Sequence, residues 1–175
     1  MTTRTSPVKL AATTAEPSIS VSRDIPAPAG RIFSVLARPA AHPGVDGTTM
    51  VRTALEDVVI SKVGDVFAMN MFNYEMGDYV MENRVVEFEP ERRIVWEPVM
   101  RSIEKPELQS AVGESAHHQW GWQLEPLDAG HTRVTEFFDC TRSPEWLQKA
   151  VKGGERWRPE IEASLENLER LVIGS

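Results

Sequence analysis

The sequence contains one cysteine, Cys140. That excludes an internal disulfide and any metal site built from several thiolates. Cations are also scarce: 19 lysines and arginines stand against 26 acids, for a net charge of −7. A nucleic acid or an anionic membrane needs a cationic face, so neither partner is expected. No stretch approaches the roughly 18 apolar residues of a membrane span. Residues 1–18 lack the continuous apolar segment of a secretory signal, and the cytoplasm is therefore the expected compartment. HExxH, CxxC, GxSxG and phosphate-loop patterns are missing as well, and neither a cofactor nor a metal is expected.

What is present is an ordinary globular composition, 41% hydrophobic over 175 residues, enough for one core. Residues 1–17, rich in Thr, Ser, Ala and Pro, read as a flexible tail, and 18–175 as a single domain. SISVSRDIP alternates as a short strand. Ile32, Phe33, Leu36 and Ala37 then have helical spacing up to Pro39, and AAHPGVDG allows one more helical turn, giving two short helices. From about 49 to 140 the chain reads as β: TMVRTAL, DVFAMNMF, YVMENRVVEF, RRIVWEP, HQWGWQLEP and TRVTEFFDC, with EFEPERRIVW forming a hairpin. Residues 99–115 read as a long polar connection. The C-terminal segment is helical, with Ser143 and Pro144 as cap and first residue and Gly153–Gly154 as an interruption. Beyond it Trp157, Ile161, Leu165, Leu168 and Val172 fall on one face, leaving Glu160, Glu162, Glu166 and Glu169 for the others. The predicted class is α+β. A curved antiparallel sheet of about seven strands cannot bury its concave face alone, and a long amphipathic helix laid across it does so, leaving a cavity between the two.

Several stretches carry a resemblance. SVSRDIPAPAGRIFSVLARPAAHP, Gly64 to Phe67, NRVVEFEPERRIVWEP, a Trp-rich strand and GHTRVTEFFDC together resemble the START/birch-pollen-allergen superfamily. More narrowly, they resemble its bacterial polyketide cyclase/dehydrase and lipid-transport (SRPBCC) branch. The likeness covers about residues 18–172 and implies the helix-grip fold. It rests on framework motifs and brings no catalytic signature.

Candidate site residues follow from strand alternation. If Leu124 lies opposite Val134, then Trp122 faces Glu136 and Trp120 faces Phe138 on one side of the sheet. A carboxyl group among indoles needs a partner or a proton. Arg84, sharing a face with Val86 and Phe88, is the candidate partner, and Glu82 sits on that face too. Phe67, Met69 and Met71 line one side of their strand, where methionine suits either a core or an adaptable pocket. Trp96 and His118 reach toward the same space, Tyr79 guards its mouth, and Trp157 and Ile161 close it from the helix. His117 and His118 are adjacent and point to opposite faces, which opposes a two-histidine metal site. His42 reads as a capping residue, His131 as solvated and Cys140 as a buried thiol.

Three functions are consistent with this set. The first is a carrier for an apolar small molecule, of lipid or polyketide type. The second, implied by the resemblance, is a polyketide cyclase or dehydratase in which Arg84, Glu136 or His118 moves protons. The third is a protein-interaction module with a filled core. A homodimer is left open.

Overall fold

The computed structural model describes residues 16–174. The expected tail lies outside them, apart from Glu16 and Pro17, which have no regular structure. The seven strands are β1 (Ile19–Ile25), β2 (Val51–Ala54), β3 (Val66–Asn73), β4 (Gly77–Glu89), β5 (Arg93–Ile103), β6 (Gln119–Pro126) and β7 (Thr132–Asp139). They form one sheet in the order β1-β7-β6-β5-β4-β3-β2, and every neighbouring pair is antiparallel. β2 to β7 run as a meander, while β1 docks on β7. The link from β1 to β2 therefore spans the sheet, and it holds α1 (Ala29–Leu36), a 3-10 turn over Pro39–Ala41 and α2 (His42–Val45).

The C-terminal segment is broken, as the glycine pair predicts. α3 (Glu145–Ala150) and α4 (Arg158–Ile173) flank a 3-10 stretch over Lys152–Trp157, where Gly153 and Gly154 take φ values of 61° and 99°. Pro144 itself occupies the cap of α3, so Ser143 lies one residue outside its expected place, buried. Along α4, Ile161, Leu165, Leu168 and Val172 are buried against the sheet and α1–α2. Each fully buried side chain of this size contributes about 1.5–3 kcal/mol. The helix-grip architecture read from the sequence is the architecture observed.

Two local features depart from that reading. Residues 99–103 are strand, not loop: the 13-residue β4 is long enough to extend β5, pairing Tyr79 with Ile103 and Glu82 with Val99. The connection then narrows to a 3-10 turn at Pro106–Ala111 and a bridge from Ser115 to Val99. β4 also carries a bulge. Val85 pairs with Trp96, but the next pair is Glu87 with Val95, so one residue is inserted and the side-chain alternation changes phase.

The WGW triplet has a packing reason. A Cβ on Gly121 would lie 2.2 Å from Phe137 Cζ, so the phenyl ring covers this position on the outer face of the sheet. Arg93 in turn lies over Phe137, 4.8 Å from the ring centre, and reaches Glu87 at 2.5 Å and Gln123 at 3.0 Å. The two indoles flanking Gly121 consequently point the other way, to the concave side.

Candidate functional site

Strand alternation and the α4 face meet in a cavity of about 400 Å³ between sheet and helix. The β6–β7 register is the one the sequence predicts, with Trp120 opposite Phe138, Trp122 opposite Glu136 and Leu124 opposite Val134. All five tryptophans of the chain line the cavity: Trp96, Trp120, Trp122, Trp146 and Trp157. So do Met50, Met69, Met71, Met76, Met81 and Met100, which are all the methionines after Met1. Trp120 and Trp157 meet edge to face at 5.7 Å across the sheet–helix gap. Trp146 of α3, 65% exposed, marks the side on which the cavity meets solvent.

The expected residues Phe67, Met69, Met71, Tyr79, Trp96, His118, Trp120, Trp122, Glu136, Trp157 and Ile161 all border this space. Phe138 does not. It is 2% exposed and lies behind Trp120, at 4.8 Å, and Trp157, at 6.3 Å, as core. Arg84 and Glu82 are also placed elsewhere. The β4 bulge separates them from the phase of Phe88, so Tyr79, Met81, Asn83 and Val85 turn inward. Arg84 is exposed and opposes Val66 and Glu97 on the outer face. The arginine expected to neutralise Glu136 therefore cannot reach it. Asn83 takes the inward position, its amide donating to the Phe67 carbonyl at 3.4 Å.

Glu136 is 7% exposed, and its Oε2 is buried with no hydrogen-bond partner among the described residues. Burial holds its carboxyl well above the usual range. A hydrogen bond with Ser164 opposes that shift, while the nearby Asp46 adds to it. Ser164 is otherwise occupied: it accepts from the Gly47 N–H at 2.9 Å and donates to the Glu160 carbonyl at 3.0 Å. The Gly47 loop can sit this close because it has no side chain, since a Cβ there would lie 2.1 Å from the Glu160 carbonyl oxygen. That approach delivers Asp46 to the cavity wall. Its oxygens are held within the loop by the Thr48 and Val51 N–H groups, each at 2.9 Å.

Two histidines border the cavity. His118 Nδ1 is buried without a partner among the described residues, and burial pulls the imidazole down to about 4, against the pull of Glu97. His42 is more than a cap: Nε2 donates to the Leu36 carbonyl at 2.8 Å, and the ring stacks on Trp96 at 5.5 Å. Burial lowers its pKa also. Both rings are thus held neutral at ordinary pH. His117 faces outward near Glu97, at 3.4 Å, and His131 pairs with Asp128 at 2.9 Å in its turn. Tyr79 is 6% exposed, and burial pushes its hydroxyl up to about 12, whereas Tyr74 is 98% exposed.

Local periodicity missed His42, Asp46, Asn83, Trp146, Glu160 and Ser164 as wall residues. Glu160, left off the apolar stripe of α4, nonetheless lines the cavity, with Oε2 buried and without a partner among the described residues. The one sequence signal available was its i, i+4 spacing to Ser164, a small polar residue on an otherwise apolar stripe.

Comparison with known proteins agrees with this fold. A curated relative, the uncharacterized protein Rv0088 of Mycobacterium tuberculosis, is 28% identical over 121 residues, or 69% of this chain and 46% of its own length. The chain thus spans about half of that relative. Among solved structures, an Arthrobacter aurescens protein matches with TM-score 0.65 at 16% identity, covering 89% of this chain and 86% of its own. Ms6760 of Mycobacterium smegmatis matches with TM-score 0.63 at 14% identity, over 89% and 90%. DynU16, from the dynemicin biosynthetic locus, matches with TM-score 0.53 at 17% identity, over 86% of this chain and 46% of its own. At these identities the structures establish the shared fold. The model of one family, described as polyketide cyclase / dehydrase and lipid transport, matches residues 16–172, and this chain belongs to that family.

Proposed function

We propose that this protein binds an apolar small molecule, of lipid or polyketide type, in the cavity between the sheet and α4. The observation that carries this reading is the allocation of side chains. Every tryptophan, and every methionine after Met1, borders one space of about 400 Å³. Ligand sites are typically apolar concavities of roughly 300–1,000 Å³ with a few placed polar groups. Methionine walls adapt to varied shapes, and indoles supply flat apolar area. A protein-interaction module with a filled core has no use for such a volume.

A second reading, proton-transfer catalysis on a polyketide-like substrate, has its own support. Glu136 and His118 border the same cavity with pKa values displaced in opposite directions, the pattern that divides acid and base roles. DynU16 comes from a biosynthetic locus, which fits this reading as well as the first.

The test is a titration with Nile red, a neutral apolar dye, monitored by its own emission and by tryptophan emission. Binding brightens the dye and changes the protein signal, and Met81→Trp, which fills the cavity from β4, weakens affinity at least tenfold. A dye that stays dark with folded wild-type protein refutes the binding reading. The catalytic reading is separated by Glu136→Gln: a carrier keeps its affinity, while an enzyme keeps affinity and loses turnover on a poly-β-keto thioester.

A further inference from the structure

The polar atoms of the cavity wall narrow the ligand class. Four buried side-chain atoms on this wall have no partner among the described residues: His118 Nδ1, Glu136 Oε2, Trp157 Nε1 and Glu160 Oε2. Each such atom is destabilising if left unpaired, because it has given up its water without gaining a partner. They border one cavity. His118 lies just before β6, two residues from Trp120, Trp120 meets Trp157 at 5.7 Å, and Trp157 precedes Glu160 by three residues at the start of α4. Ser164 lies between Glu136 and the main-chain carbonyl of Glu160, to which its hydroxyl donates.

The chemistry of the four is mixed. The Trp157 N–H can only donate, and it needs an acceptor. Glu160 Oε2 offers lone pairs and needs a donor. Glu136, whose protonated form burial favours, and the neutral His118 can each work either way. The carboxyl groups of the wall have no cationic counterpart, however. Asp46, Glu136 and Glu160 bring carboxyl groups to the wall, and no lysine or arginine lines it among the described residues. An entering carboxylate or phosphate meets acceptors and no counter-ion. An ammonium satisfies Glu160 but leaves the indole N–H unpaired. A hydroxyl both donates and accepts, and alone of the three satisfies both.

We infer that the cavity selects apolar ligands whose polar end is a neutral hydroxyl, alcoholic or phenolic, and discriminates against ligands ending in carboxylate, phosphate or ammonium. The inference rests on the binding reading above, because the four atoms select nothing unless a ligand enters. It differs in content, since an apolar cavity by itself disfavours any ion through desolvation but has no preference for a hydroxyl over a wholly apolar end.

The experiment is displacement of bound Nile red at pH 7 by three molecules sharing one chain: 1-octanol, octanoate and octylammonium. Octanol displaces the dye at a concentration at least tenfold below that of either ion. Glu160→Gln separates recognition from simple partitioning, for it removes a carboxyl while leaving the apolar wall intact. In that variant the octanoate affinity rises at least fivefold and the octanol affinity changes less than twofold. Trp157→Phe keeps an aromatic ring, though a smaller one, and removes the N–H, and it weakens octanol severalfold while changing Nile red affinity less. Nile red that binds while octanoate or octylammonium equals octanol overturns this inference and leaves the binding reading standing. So does an octanol-to-octanoate ratio unmoved by Glu160→Gln. Nile red that fails to bind overturns both.

Discussion

Glu136 stands directly across the β6–β7 ladder from Trp122, its carboxyl turned into the cavity beneath α4 with one oxygen unpaired among the described residues. A buried carboxyl beside an indole favours its protonated form, because the low-polarity surroundings penalise the charge. The unfolded chain releases that proton near the ordinary value of 4.5, whereas the folded chain retains it to well above that pH. Folding stability attributable to this residue therefore falls as pH rises above about 4.5. Glu136→Gln removes the penalty. The variant is expected to be more stable than wild type by about 1 kcal/mol at pH 8 and to lose that advantage near pH 4. Urea unfolding of both proteins at the two pH values measures this. A stability difference that does not change with pH contradicts the placement.

His118 has the opposite linkage. Its folded value is pulled down to about 4, below the ordinary 6.5, so the unfolded chain binds the proton first on acidification. The stability this ring contributes is complete above 6.5 and is lost as pH falls from 6.5 toward 4. His118→Phe is expected to flatten that segment of the stability–pH curve by roughly 2 kcal/mol. Carbon-13 chemical shifts of the imidazole provide a direct check, and a His118 ring that is protonated at pH 5.5 in the folded protein counters the claim.

Gly121 is expected to tolerate no side chain while Phe137 remains. A methyl group would overlap the phenyl ring at 2.2 Å, and overpacking of this kind costs about 1–3 kcal/mol. Phe137→Ala opens the space, so the double variant is expected to be more stable than the sum of the two single changes predicts. Additive losses in a thermal-unfolding cycle count against the contact.

Arg84 and Leu168 form a contrasting pair. Arg84 is exposed on the outer face, so Arg84→Ala is expected to change stability by less than about 0.5 kcal/mol and Nile red affinity by less than twofold. Leu168 is wholly buried on α4, and Leu168→Ala is expected to cost about 2–5 kcal/mol. Loss of dye binding in a well-folded Arg84→Ala protein places that side chain in the cavity after all.

The sequence by itself determined whatever local periodicity controls. Alternation in QWGWQL and TRVTEFF, joined by a short turn, puts Trp120, Trp122 and Glu136 on the concave face. The 3.6-residue repeat puts Ile161, Leu165, Leu168 and Val172 under the sheet. These follow from near neighbours, since strand pleat and helix turn are set within a few residues. Tertiary structure alone decided where the charges went. One inserted residue in β4 moved Arg84 and Glu82 to the outer face and brought Asn83 inward, and a bulge depends on how β5 pairs across from it. Close approach of the Gly47 loop to α4 brought Asp46 to the wall and fixed Ser164 between two backbones, while His42 was packed onto Trp96 from more than fifty residues away. Such contacts join segments far apart in the chain, so no periodicity within either segment encodes them.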